Sequence, residues 1–289
     1  MKSAGCRPVR RPGVGARGEN GREPALSNPI ITLTTDYGTS DHLAGVLKGV
    51  ILNILPNATV VDISHQVVPM DVLDGALMIG NAYRHFPPRT VHLVVVDPGV
   101  GTQRRPIVVS GEQHYFVAPD NGVLSVVYER EPAVKVRHIT AEHYFLNPVS
   151  ATFHGRDVFA PVAAWLAKTY QSEVFGEEIS DYVRFALPRA KANGTALKGV
   201  VLRVDAFGNL ITNLTAEDLP TAMASAGKIK LKVGNKEIEK LAQTFAQGAA
   251  GEAVAIVGSS GFVEVAVNKG HAARTLGAQR GSEVTLELA

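Results

Sequence analysis

The sequence predicts an α/β protein: an N-terminal, mostly parallel sheet flanked by helices, followed by a smaller all-β, barrel-like domain. Three observations predict it. Between residues 30 and 96, apolar runs of strand length alternate with stretches of helical apolar spacing. The run Val91–Val96 is almost continuously apolar, as a strand buried on both faces requires. Beyond residue 197 the pattern changes to short alternating segments separated by turn residues, which suits a small barrel or sandwich.

The elements follow in order. Ile30–Thr34 reads as a buried strand, closed by the polar turn Asp36-Tyr37-Gly38-Thr39-Ser40. From His42 to Ile54, apolar residues recur at helical spacing (Leu43, Val46, Leu47, Val50, Ile51, Ile54), and Pro56 stops the helix. A second strand is expected at Thr59–Ile63, a helix at Val72–Phe86 ending before Pro87-Pro88, and the third strand at Val91–Val96. Strand, helix, strand, helix, strand marks a parallel sheet covered by helices, Rossmann-like in kind. Further strands are expected at Ile107–Ser110 and Tyr115–Ala118, and a helix at Val158–Lys168. The stretch from Pro188 to Ala196 has linker composition. Strand-like segments then recur at Gly199–Asp205, Lys228–Val233, Val254–Val257, Gly261–Val267 and Glu283–Leu288. The expected division is an α/β domain at 29–190, a linker at 191–197 and a β domain at 198–289, with no internal repeat.

At 289 residues and 30.7 kDa the chain has room for one large domain or two ordinary ones. Its 45% hydrophobic content supports a core and excludes wholesale disorder. No apolar run reaches the roughly 18 residues of a membrane span. A single cysteine, Cys6, excludes an internal disulfide and a cysteine-based zinc site, so a reducing, cytoplasmic setting is expected. The formal charge of +2 is uneven: residues 1–28 carry six basic side chains against Glu19 and Glu23, a balance of +4, which leaves the rest at −2. A nearly neutral body argues against a nucleic-acid-binding face. The basic tail, with five glycines and three prolines and no apolar stripe, is expected to be disordered. It reads as an extension or start-site artefact, with a targeting or nucleic-acid-tethering arm as the alternative; without an apolar stretch it is not a secretory signal.

In open α/β sheets, ligands bind beyond the carboxyl ends of the strands. Asp36 follows the first strand, Asp62 falls at the end of the second, and Asp97 follows the third. Asp97 opens Asp97-Pro98-Gly99-Val100-Gly101-Thr102-Gln103-Arg104-Arg105, in which two glycines let the backbone approach a ligand and the arginines can answer the acid. The same pattern also fits a capped turn with a surface ion pair. Thr152-Phe153-His154-Gly155-Arg156-Asp157 places a histidine at a helix start, beside unpaired backbone donors; a solvated N-terminal cap fits it as well. Ala118-Pro119-Asp120-Asn121-Gly122 reads first as a tight turn. Asp205-Ala206-Phe207-Gly208-Asn209 sets an acid and an amide around a ring, suited to a heterocycle. Gly258-Ser259-Ser260-Gly261 is a small polar loop fit for a carboxylate or ammonium group, or a plain hairpin turn. No metal is expected: none of the nine histidines forms an HxxxH or HExxH pair, and Asp62 and His65, in an extended segment, point to opposite faces. Phosphate-loop, dinucleotide and nucleophile-elbow motifs are absent.

Taken together, Thr35-Asp36-Tyr37-Gly38, Asp62-Ile63-Ser64-His65, Val96–Thr102, Ala118–Gly122, Phe153–Asp157 and Phe207-Gly208-Asn209 resemble the S-adenosylmethionine hydrolase family. That family is also called S-adenosylmethionine hydroxide adenosyltransferase and is related to the fluorinases and chlorinases. The resemblance runs in order from residue 30 to the C-terminus. It implies a homotrimer with active sites between the N-terminal domain of one subunit and the C-terminal domain of the next. It also implies attack at the ribose C5′ of S-adenosylmethionine, giving adenosine and L-methionine without metal or organic cofactor. The family's water-positioning set maps onto Asp97, Arg104 and His154, and the ribose-diol acid onto Asp36. Methionine-end contacts map onto Asp41, Asp205 and Ser259, the adenine contact onto Asn209 beside Phe207, and Phe153 joins the substrate-binding set.

The chemistry of these residue types agrees. A sulfonium needs no acid to leave; it needs an oriented nucleophile in line with the C5′–S bond. A carboxylate and a histidine supply that for water, whereas a carboxylate repels a halide at close range. The halogenases carry an uncharged residue where this chain has Asp97, and they lack the equivalent of His154. Departures from the pattern are Met70, where some relatives place an aromatic ring, and Ser260 and Val267, near positions of fluorinase arginines. A non-catalytic sensor for S-adenosylmethionine or adenosine is the alternative, ahead of a halogenase and an unrelated metal phosphoesterase.

Overall fold

The computed structural model describes residues 28–288, so the expected basic tail lies outside the described residues except for Asn28. The N-terminal sheet contains β1 (Ile30–Thr35), β2 (Thr59–Ser64), β3 (Val91–Val95), β4 (Pro106–Ser110), β5 (Tyr115–Pro119), β6 (Lys135–His138) and β7 (Glu178–Ile179), in the order β2-β1-β3-β5-β4-β6-β7. Four adjacent strands, β2, β1, β3 and β5, run parallel, while β4, β6 and β7 extend the sheet by antiparallel pairing. Helices α1 (Leu43–Ile54), α2 (Val72–Ala82), α3 (Ser125–Arg130) and α4 (Ala160–Thr169) flank it.

The apolar run of β3 explains the layering. Val91, Leu93 and Val95 enter a core with Leu47 and Ile51 of α1 and Val162 and Leu166 of α4. Val94 and the following Val96 enter a second core, with Ile79 of α2 and Val127 of α3. Alternate side chains thus feed opposite faces, as strand geometry requires. α2 begins at Asp71, whose carboxylate caps the Asp74 amide at 3.0 Å.

The C-terminal part comprises β8 (Lys191–Asn193), β9 (Ala196–Val204), β10 (Leu210–Thr215), β11 (Lys228–Val233), β12 (Lys236–Ala242), β13 (Ala253–Val257), β14 (Phe262–Val267) and β15 (Glu283–Glu287), with short helices α5 (Thr221–Ala226) and α6 (Ala272–Leu276). Pairing runs β10-β14-β13-β12-β11-β15-β9, and β9 also pairs with β10, closing a seven-strand barrel. Residues 191–197, expected as linker, form instead the β8–β9 hairpin: Asn193-Gly194 turns there with Gly194 at φ +60°, a conformation glycine accepts without penalty. Strands β10 and β12 were not expected, because β10 buries Thr212 and Asn213 and β12 carries four charged residues. The two parts meet through Arg203, 3.1 Å from Asp74, and through Leu202 and Phe262 packed with Ala76, Leu77 and Val126.

A buried histidine gives the N-terminal core an acid limit. His92 on β3 bonds to Thr32 Oγ1 through Nδ1 (2.7 Å) and stacks on Phe116 at 5.1 Å. Burial, with a lesser effect from His114, pushes its pKa down to about 3. Because the unfolded chain binds a proton near the ordinary value of about 6.5, the stability from this depressed group is fully present above that pH. It is lost as pH falls toward 3. Thermal melts of the wild type are expected to show Tm falling between pH 7.5 and 5.0, and His92→Leu to show a smaller fall. Equal acid sensitivity in both would contradict this role for His92.

Candidate active site

The carboxyl ends of β1 and β3 point the same way, which brings Asp36 and Asp97 to one end of the sheet. The loop after Asp97 folds on itself: the Val100 amide donates to the Asp97 carbonyl (3.2 Å) and Thr102 donates to the Gly99 carbonyl through both its amide (3.1 Å) and its hydroxyl (2.7 Å). Gly101 holds φ +76°, and a Cβ there would lie 2.4 Å from the Ala151 carbonyl oxygen. Only glycine lets this loop press against the segment that carries His154. Asn121, read from sequence as part of a tight turn, fixes the approach to Asp97 by donating from Nδ2 to the Val96 carbonyl at 2.8 Å. Its neighbour Asp120 is structural, buried and paired with Arg105, and accepts from the Val183 amide.

Asp97, Arg104 and His154 come together. Arg104 Nε lies 3.0 Å from each Asp97 oxygen, and Nη2 adds a further bond to Oδ2. Both side chains are nearly enclosed, at 6% and 9% exposure, so water screens the pair little. The same Nη2 is 2.8 Å from His154 Nδ1. A guanidinium only donates, so Nδ1 is the acceptor and the neutral ring carries its proton on Nε2. Burial lowers the His154 pKa, Arg104 lowers it further, and Asp97 and Asp157 offset part of this. With Nδ1 occupied by Arg104, the neutral ring presents Nε2–H as a donor.

His154 precedes a π-helical turn, Gly155–Phe159, that runs into α4. Asp157 anchors this turn by accepting from Arg156 and from the Ser150 amide (2.8 Å). Burial works to raise the Asp157 carboxyl, but these partners outweigh it and hold it below the usual carboxylate range.

A cavity of about 210 Å³ opens between these elements, lined by Asp36, Tyr37, Asp97, Phe153 and His154 among others. Asp36 Oδ2 accepts the Met70 amide at 2.8 Å. Phe153 meets the Tyr37 ring edge-on at 5.9 Å. Tyr37 was assigned no role from sequence, although its place between the strand-end acid and Gly38 was the available signal.

The remaining expected residues lie elsewhere in the chain. Asp41, exposed before α1, accepts from the backbone amide and ring of its neighbour His42. Asp205 is engaged within its own loop, accepting from the Phe207 amide (2.9 Å) and from both the amide and Nδ2 of Asn209 (2.8 Å each). This closes the β9–β10 turn and leaves Phe207 78% exposed. Ser259 sits in the β13–β14 turn, closed by the Gly258 amide on the Phe262 carbonyl (2.8 Å). None of Asp205, Phe207, Asn209 or Ser259 lines the Asp97 cavity. Asp62 and His65 do not point apart as the extended pattern implied. The chain leaves the strand after Ser64, so His65 Nε2 comes to 3.1 Å from Asp62 Oδ1, while Lys48 takes the other oxygen at 2.6 Å. Among the described residues, no group of three or more His, Cys, Asp or Glu side chains is placed to hold a metal ion.

The chain matches two family models, the S-adenosylmethionine (SAM) hydroxide adenosyltransferase N-terminal domain over residues 31–176 and the corresponding C-terminal domain over residues 199–285. A (R)-S-adenosyl-L-methionine hydrolase of Salinispora tropica is 37% identical, over 89% of this chain and 97% of its own. A fluorinase of Actinoplanes sp. is 30% identical, over 92% of this chain and 100% of its own. The crystal structure of an uncharacterized conserved protein from Thermotoga maritima superposes with a TM-score of 0.80 at 38% identity, covering 89% of this chain and 99% of that one.

The Arg104 contact makes a spectroscopic prediction. In ¹⁵N-resolved NMR, His154 is expected to show a proton on Nε2 and a pKa below the ordinary 6.5. Arg104→Met is expected to raise that pKa, since one of the two lowering influences is removed. An unchanged titration would show that Arg104 does not govern the ring.

Proposed function

The chain belongs to the S-adenosylmethionine hydroxide adenosyltransferase family, and we propose that it hydrolyses S-adenosyl-L-methionine to adenosine and L-methionine by attack of water at the ribose C5′. The observation that carries the proposal is the Arg104 fork holding the Asp97 carboxylate at the cavity while fixing the His154 tautomer. The sulfonium is already a good leaving group, so the protein's task is to place a water oxygen in line with the C5′–S bond. Asp97 accepts one water proton, and its bidentate partner Arg104 keeps the carboxyl group oriented. His154 donates from Nε2 to the same oxygen. Asp36 takes the ribose diol through the oxygen that Met70 leaves free. No step calls for a Lewis acid, and we read the reaction as independent of metal or organic cofactor.

Two carboxylates, Asp36 and Asp97, line the cavity, and a halide would be repelled there. That weighs against transfer of a halide despite the fluorinase relative. The single cysteine suits a reducing cytoplasm, and no helix among the described residues is long and apolar enough to cross a membrane.

The assembly we propose is a homotrimer with shared sites. The Asp97 cavity, at about 210 Å³, is smaller than the roughly 300–1,000 Å³ of small-molecule sites. The exposed Phe207, with Asp205, Asn209 and Ser259, stands apart from it in the same chain. A second subunit's barrel bringing those residues to the cavity would complete the methionine and adenine ends.

Two measurements test this. Asp97→Ala is expected to lower turnover by about 10³-fold while calorimetry shows S-adenosylmethionine still bound; full activity would overturn the assignment. Coexpression of Asp97→Ala with Asn209→Ala, each inactive alone, is expected to restore activity at about one quarter of the sites, those pairing an intact half from each subunit. Mixed trimers without recovery would show that the site is built within one chain.

A further inference from the structure

One polar group of the cavity has no work in the mechanism above. Tyr37 follows Asp36 at the end of β1, and its hydroxyl lies over the α-carbon of Gly155: a Cβ there would stand 2.2 Å from the phenolic oxygen and 3.2 Å from Cζ. Among the described residues nothing donates to that hydroxyl or accepts from it. Burial first, then the charges of Asp36 and Asp97, push the phenol well above the ordinary tyrosine range, so it stays an O–H donor at working pH. A donor without a protein acceptor, in a cleft shared with two carboxylates, is placed for an acceptor that arrives with the substrate.

Building on the proposed hydrolysis, we propose that the Tyr37 hydroxyl is a catalytic contact that donates to the attacking oxygen. The water oxygen forms the C5′–O bond with one lone pair. The C5′–S bond breaks, and its electron pair returns to sulfur, leaving neutral methionine thioether. One water proton passes to the Asp97 carboxylate, and the other stays as the 5′-hydroxyl proton of adenosine. As the proton leaves, the oxygen gains acceptor capacity and negative charge. Tyr37 O–H and His154 Nε2–H meet that charge while a further pair attacks carbon. The contact is made to the attacking oxygen and not to the substrate, and it stabilises and orients that oxygen once its proton leaves, so its loss falls on kcat more than on substrate binding. Gly155 belongs to the same device, since any side chain there displaces the hydroxyl.

The test is steady-state kinetics on the wild type, Tyr37→Phe, Gly155→Ala and the double variant, with Tm measured for each. Phe keeps the ring and its contact with Phe153 and removes one oxygen. Tyr37→Phe is expected to lower kcat about 10- to 100-fold with KM within about twofold and Tm little changed. Gly155→Ala, which pushes the hydroxyl aside, is expected to show the same kcat-selective loss. The double variant is expected to be no worse than Tyr37→Phe, because the clash is chiefly with the oxygen that Phe lacks. A Tyr37→Phe enzyme with wild-type kcat, a loss confined to KM, or single losses that multiply in the double variant would overturn the inference. If the wild type releases adenosine and Tyr37→Phe equals it, only this inference falls; if the wild type releases none, the hydrolase reading falls and this one with it.

Discussion

The Arg104 guanidinium, set between the Asp97 carboxylate and the His154 ring, is the contact on which the rest of the site depends. It has donors only, so its neighbours must both be acceptors. The acid is oriented by the fork, and the imidazole is held with its free proton on the far nitrogen. One residue thereby orients the acid and fixes the tautomer of the ring, and in the proposed reaction water would meet an acceptor on one side and a donor on the other. The cost of enclosing the charged pair is offset by its bidentate geometry, and removing either partner would leave a buried charge alone.

Bringing these side chains together requires close passage of backbone, which explains the glycines around the site. Gly101 allows the Asp97 loop to touch the Ala151 carbonyl, and Gly155 leaves room for the Tyr37 hydroxyl. Away from the cavity, Gly208 at φ +85° likewise lets the β9–β10 turn pass His271, where a Cβ would stand 2.2 Å from Nδ1. The first two bring the proposed catalytic groups together at the end of a rigid sheet, whose two cores fill both faces of β3.

Much of this was legible in the sequence where one local rule dominates. The apolar run at Val91–Val96 disclosed a strand buried on both faces, and acids at strand ends disclosed the site's edge. Strand β12 was hidden because Lys236, Glu237, Glu239 and Lys240 mask its period, and β10 because its buried Thr212 and Asn213 look like turn residues. The hairpin at Asn193-Gly194 was read as linker from the same glycine that makes its turn. At the site, residue identity was readable but pairing was not. Nothing in the spacing shows that Asp205 spends its oxygens on its own loop, or that Asp62 and His65 meet once the strand ends. Tyr37 was visible only as part of a motif, because its contact with Gly155 joins positions far apart in the chain.

The most direct test of hydroxide transfer is to incubate the purified protein with S-adenosylmethionine in ¹⁸O-labelled water containing chloride and to analyse the nucleosides by mass spectrometry. Adenosine carrying one ¹⁸O at the 5′ position, with an equal amount of methionine, is the expected result. A 5′-chlorinated nucleoside, or bound substrate recovered intact with no product, would contradict it.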